Sequence, residues 1–220
     1  MITLDSTSSF NADTELSSYS IPHTVAGDSR ILIIAIASLK LFTSRVIDVK
    51  YAGVSMTQET TIANGGTPGQ SSTIYSLVAP ALGTNNITIT LTSIVGLAVA
   101  GVSLNGVLQI NPVDVTGTTL NVATSIQTTV VTTKDNTFLV DICAQNSNLA
   151  MSADVGQTEV VNATYTGAGH RGGGSFKSAA IAGNVTLGWS GSSRDRTHAV
   201  IALKPITLVE GKRLGNVLIT

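Results

Sequence analysis

The sequence predicts an all-β protein built as a single antiparallel β-sandwich, and three observations carry that prediction. The first is Arg30–Ser38, an almost unbroken run of branched aliphatics opened by one charge. The run is too short for a bilayer, which takes ~20 residues, and branching at Cβ favours an extended backbone. The second is Thr197–Lys204 near the other end of the chain, which has the same character, so the first and last core strands are expected side by side. The third is composition. Thirty Thr, 23 Ser and 21 Gly stand against few Glu, Lys and Gln, a balance that favours strands and turns over helices.

Taken in order, residues 1–16 are polar and read as an N-terminal arm or edge strand. Leu16–Thr24 half-alternates, and Gly27-Asp28 turns the chain into the buried run. Arg45–Tyr51 alternates, with Ile47, Val49 and Tyr51 on one face and Asp48 and Lys50 on the other, and Ala52-Gly53 closes a hairpin. Gln58–Ser72 holds Asn64-Gly65-Gly66-Thr67-Pro68-Gly69 and reads as an exposed loop. Thr73–Ala79 is a strand that stops at Pro80. Asn86–Ile94 has a clear two-residue period: Ile87, Ile89 and Leu91 point one way, Thr88, Thr90 and Thr92 the other.

Leu97–Leu108 is apolar and interrupted by glycines, so a buried, bent strand is expected. Asn111–Ser125 reads as loop. Ile126–Thr133 and Asn136–Ala144 form an expected hairpin across Lys134-Asp135, with Phe138, Val140 and Ile142 inward. Gln157–Ala163 is a short strand, and the glycine-rich 167–174 reads as a flexible surface loop. Ser175–Ile181, Asn184–Trp189 and Thr197–Lys204 are further strands, with 190–196 a polar corner. One domain is expected over 17–205, followed by a tail over 206–220 in which Ile206, Leu208, Val217 and Ile219 are candidate assembly contacts.

Composition limits the function classes. Charged residues make up 11% of the chain and the net charge is -1, which leaves no basic footprint for nucleic acid. The N-terminus shows no basic segment leading into an apolar one, so nothing marks it for classical secretion. Cys143, the single cysteine, is expected to be a buried structural thiol. His23, His170 and His198 are too far apart in sequence to announce a metal site. The glycine run lacks the Gly-Lys-Ser/Thr ending of a phosphate cradle, and no hydrolase elbow is present. Asp48, Glu59, Asp114, Asp141, Asp154 and Glu159 each read as solvated charges, and Arg194, Asp195 and Arg196 as an ion-paired corner or interface. No cofactor and no membrane contact are expected. Aromatics are only 4%; Trp189 and Tyr75 read as buried, while Tyr165, with His170 and Arg171, is the candidate exposed surface for a glycan.

Several segments together resemble a known family. They are Asp28-Ser29-Arg30-Ile31-Leu32-Ile33, Val49–Met56, Ile74–Pro80, Gly83-Thr84, Ile87-Thr88-Ile89-Thr90, Leu187-Gly188-Trp189-Ser190 and Ala199–Pro205. The family is a β-sandwich group met in bacteriophage virion proteins and phage-like bacterial surface proteins. The resemblance covers roughly residues 16 to 205 and brings no active site. It implies a jelly-roll-like domain used for display or assembly. With the uncharged Thr/Ser surface, the expectation is a non-enzymatic virion protein: first a capsid decoration or cement protein, next a head or tail fibre component. The expected partners are two further copies in a homotrimer and other virion proteins such as the major capsid protein. The alternative is a carbohydrate- or receptor-binding module.

Overall fold

The computed structural model describes residues 1–12, 16–39, 46–65, 69–165 and 169–206, with the side chains of 39 and 93–95 set aside. Fourteen strands, and no helix among these residues, follow one another. The first half holds β1 (Thr3–Asn11), β2 (Leu16–Val25), β3 (Ile31–Leu39), β4 (Val46–Tyr51), β5 (Val54–Ser55), β6 (Thr57–Asn64), β7 (Gln70–Val78) and β8 (Gly83–Asn105). The second holds β9 (Val113–Thr132), β10 (Thr137–Gln145), β11 (Met151–Ala153), β12 (Thr158–Tyr165), β13 (His170–Ala179) and β14 (Gly183–Leu203). All named pairings are antiparallel.

Each half makes its own sheet. The first runs β5-β4-β8-β3-β7-β6, with β1 and β2 also on β8; the second runs β11-β14-β10-β13-β12, with β9 on β14. The expected antiparallel sandwich is therefore what the chain forms. The jelly-roll winding expected with it is not seen, because one continuous half of the chain fills each sheet, whereas a jelly roll interleaves Greek keys across two sheets.

Burial follows from alternation. The odd residues Ile31, Ile33, Ala35 and Ala37 of β3 face the core between the sheets, where they meet Phe138, Val140, Ile142 and Ala144 of β10 and Ala199, Ile201 and Leu203 of β14. The even residues Leu32, Ile34 and Ile36 face a second core, closed by Ile21, Val49, Tyr51, Ile87 and Ile89 of an outer layer. That layer exists because β8 is long enough to serve both: its first part pairs with β2 and β4, its second with β1 and β3. β14 does the same in the second half, pairing with β11 and then β10 while β9 runs along its whole length. A strand buried on both faces loses the two-residue pattern, which is why Arg30–Ser38 reads as continuous aliphatics.

The halves match strand for strand. Ile31 pairs with Val78 and Leu104; Phe138 pairs with Ser178 and Leu203. Each of these strands is preceded by an Asp and then a residue at positive φ, Ser29 (φ 49) and Asn136 (φ 57). Packing across the core is reciprocal too: β1 meets β12 as β9 meets β6, and β3 meets β13 as β10 meets β7. This is the isologous geometry of a two-fold dimer, realised within one chain.

The strand order corrects several expectations. β3 and the C-terminal part of β14 lie in different sheets rather than side by side. Segments 126–133 and 136–144 are not a hairpin, since the first pairs with 183–189 of β14 and the second with 196–203 of β14 and with β13. Residues 113–125 are strand, their Thr and Val alternation belonging to β9, and the expected loop 58–72 is mostly β6 and β7. Ile47 is 60% exposed, because a register shift between Val46 and Asp48 turns Val46 inward in its place. Residues 190–196 form no separate corner but a bulged stretch of β14.

Candidate functional site

The expected exposed surface at Tyr165, His170 and Arg171 is not a surface of that kind. Tyr165 is 4% exposed and sits in the inter-sheet core, its ring so close to Gly96 that a Cβ there would stand 2.7 Å from it. His170, its partner across β12 and β13, is wholly buried. Arg171 is half-buried and donates from Nη1 to Asn162 Oδ1 at 2.7 Å. The reason lies in the glycines. A Cβ on Gly172 would overlap the Ala98 methyl and come within 2.9 Å of that of Ala37, and one on Gly173 would meet the Trp189 ring at 2.6 Å. The run from 170 onward is a strand stripped of side chains so that two layers can close on it.

The richest polar constellation lies in the outer core of the second half. Asp141 alternates with Val140 and Ile142 and so points away from the inter-sheet core. It is wholly buried, not a solvated charge. Its Oδ1 accepts from the Ser175 amide at 2.8 Å and the Ser175 hydroxyl at 2.6 Å. Oδ2 accepts from Trp189 Nε1 at 2.9 Å and lies 2.8 Å from His198 Nε2. A carboxylate only accepts, so Nε2 carries a hydrogen here. His198 Nδ1 lies 2.8 Å from Thr128 Oγ1, which donates on to Thr119 Oγ1. Gln157 completes the set, donating to Ser175 Oγ at 2.7 Å and accepting from the Gly188 amide at 2.8 Å.

This Asp–His–Thr line has the residue types of a proton relay, but Asp141 and His198 are 0% exposed and Thr128 is 3%. Every polar atom has a protein partner, so the arrangement joins β9, β10, β13 and β14 from within. Cys143 beside it is free and buried, as expected, and burial followed by the Asp141 charge pushes its thiol well above the ordinary range. Such a thiol is a small hydrophobe rather than a nucleophile.

Arg196 is the other buried charge. Its guanidinium donates to Gln145 Oε1 at 2.9 Å, Ala123 O at 2.6 Å and Ser192 O at 2.7 Å, so it braces the bulge of β14 with neutral acceptors and not as an ion pair. Burial lowers its pKa. In the first half His23 is 2% exposed with Nδ1 2.9 Å from Ser8 Oγ; burial lowers its pKa while Asp5 opposes. Among the described residues, no group of three His, Cys, Asp or Glu side chains could hold a metal ion.

The open features lie elsewhere. At the end of the sandwich, a groove of about 380 Å³ is lined by Met1, Leu108, Lys134, Asp135, Asn136 and the 204–206 segment. A smaller one of about 210 Å³ adjoins it through Met1 and Asn136 and reaches Thr137, Phe138 and Ala180. Along one side runs β9, which among the described residues pairs only with β14 and leaves Leu120 45%, Val122 68% and Val131 60% exposed. Ile206 lines the larger groove, while Leu208, Val217 and Ile219 lie outside the described residues. Sequence reasoning missed the Asp141 network. Its one available signal was a lone acid inside an apolar strand.

No protein-family description, no curated protein and no solved structure matches the chain.

Proposed function

We propose that this chain is a non-enzymatic structural protein of a bacteriophage particle, in the first instance a decoration or cement protein of the capsid. The observation that supports it most is β9. Twenty residues of strand carry a single charge, Asp114, expose Leu120 and Val122, and among the described residues pair on one side only. A long neutral strand edge of this kind is an association surface unless something covers it. Main-chain pairing along it would join copies of the chain, a homotrimer by expectation, or hold a capsid subunit by strand addition. The Thr-rich faces keep the rest soluble without charge: Ile87, Ile89 and Leu91 are buried, Thr92 is exposed and Thr88 and Thr90 are half-exposed. The glycan-binding alternative has lost its stacking residue, since Tyr165 packs inward.

The test is the mass of the full chain in solution beside that of a variant carrying Leu120→Lys and Val122→Lys. A trimer that the variant reduces to folded monomers supports the reading. A full chain that stays monomeric at its solubility limit overturns self-association through β9. Failure to sediment with any phage capsid shell would then remove the virion role.

A further inference from the structure

The path of β9 fixes the place of a proton. Residues 113–123 of β9 pair with 194–203 of β14, and residues 125–132 with 183–190. Between these stretches the strand folds over and brings Thr119 against Gln127, eight positions on, where the Thr119 hydroxyl donates to Gln127 O at 3.0 Å. In a straight strand the two would stand about 26 Å apart. Asn121 Nδ2 donates to Ser125 O at 3.3 Å across the same bend, and Arg196 Nη1 holds Ala123 O.

Donor directions along this line follow from what each atom can do. A carbonyl only accepts, so the one hydroxyl hydrogen of Thr119 is committed to Gln127 O. Thr119 Oγ1 therefore accepts, and the Thr128 hydroxyl donates to it at 2.8 Å. Thr128 then has no hydrogen left for His198, whose Nδ1 lies 2.8 Å from its oxygen, so Nδ1 must donate. On the far side of the ring, Nε2 faces Asp141 Oδ2 at 2.8 Å. The same carboxyl accepts from the Ser175 amide and hydroxyl and from Trp189 Nε1, so Nε2 donates as well.

We infer that His198 is held as the imidazolium, its second proton fixed by the hydroxyls of Thr128 and Thr119, and that this proton is a pH-sensitive latch on the bend of β9. The opposite charge is in place, since Asp141 and His198 form a wholly buried ion pair. Among the described residues, the other titratable or charged groups around the ring are Cys143, its register partner on β10, and Arg196, two positions back on β14. β9 and β13 supply only the neutral Thr119, Thr128 and Ser175, and Asp154 stands beyond the line, accepting from Gln127 Nε2. Removing the proton at alkaline pH leaves Nδ1 and Thr128 Oγ1 facing each other as acceptors. They pair again only if both hydroxyls reverse, which takes the Thr119 hydrogen from Gln127 O. The Asp141 charge meanwhile loses its partner inside the core, which is costly. One proton thus governs a bond that closes the bend. The latch is independent of the assembly reading, since it holds for a monomer as for a trimer.

The experiment is NMR of the full chain, isotope-labelled at the histidine ring nitrogens. At neutral pH the His198 ring is expected to show a bonded hydrogen on both nitrogens, where a neutral ring shows one. A single ring N–H at His198 overturns the inference. Thr128→Val keeps the shape of the side chain and removes the acceptor, so His198 is expected to lose the Nδ1 hydrogen and keep the one on Nε2. A ring that keeps both in this variant overturns the hydroxyl line as the holder of the proton. Hydrogen exchange gives a reading that needs no substitution. As the pH is raised, protection of the amides of 123–128, corrected for the intrinsic exchange rate, is expected to fall in step with loss of the Nδ1 hydrogen. Protection that is unchanged once that hydrogen has gone overturns the latch.

Discussion

The two halves of the chain follow one path and bury different chemistry on it. In the first half, the positions that match Asp141, Ser175 and His198 are Ile34, Tyr75 and Val99, as the shared pairings show. Those residues pack among aliphatic and tyrosine side chains, with Tyr75 turning its hydroxyl to Gln58, and the layer's buried histidine, His23, bonds to Ser8 rather than to an acid. The second half builds the same layer contact around a carboxylate and an imidazole. Aliphatic packing and a satisfied polar network are thus two solutions for one backbone. They differ in how they fail: an apolar core degrades with each methyl removed, whereas a network fails when one member leaves the others unpaired.

That contrast is sharpest at Asp141. Asp141→Ala leaves Trp189, Ser175 and His198 without their acceptor and is expected to cost about 3–5 kcal/mol in urea unfolding. Installing the first half's solution, Asp141→Ile with His198→Val, should recover much of that loss. A double variant no better than Asp141→Ala would break the equivalence of the halves. Next in size is Gly172→Ala, which drives a methyl into Ala98 and Ala37 and should cost about 1–3 kcal/mol. Gly53→Ala, where a Cβ would meet nothing within 4 Å, pays only for its positive φ (81) and should cost about 1 kcal/mol.

The smallest effect belongs to the first half and depends on pH. Burial holds His23 below the ordinary histidine value of 6.5, so below pH 6.5 the unfolded chain binds the proton more readily than the folded one. The contribution is complete above pH 6.5 and declines as pH falls toward the lowered folded value. Thermal unfolding across that window should show a slope that His23→Gln flattens. An unchanged slope would place the titration elsewhere.

How much of this was legible in the sequence depends on which force set each element. β3 and the second part of β8 announce themselves, because burial on both faces demands apolar side chains throughout. Edge strands such as β6 and the first part of β9 are specified by Thr interspersed with a few aliphatics against solvent, a pattern that composition alone does not separate from loop. Gly172–Gly174 misled for a physical reason: glycine permits a turn, but it also lets two sheets meet, and only the partner layer distinguishes these uses. Ile47 failed through one bulged residue, which reverses the faces locally. At the candidate site, the burial of Trp189 and Cys143 could be read from their strands, while Asp141 and His198 lie 57 positions apart and meet only once β10 and β14 pair.

The reciprocal packing of the halves carries one more consequence. In a true homodimer every substitution appears twice, on both sides of the axis, so a buried acid acquired on one side would have to be tolerated on the other. Here both units belong to one polypeptide, and mutation is released from that symmetry. One half keeps Ile34 and Val99 where its counterpart carries Asp141 and His198, and the interface between them cannot be lost by dilution.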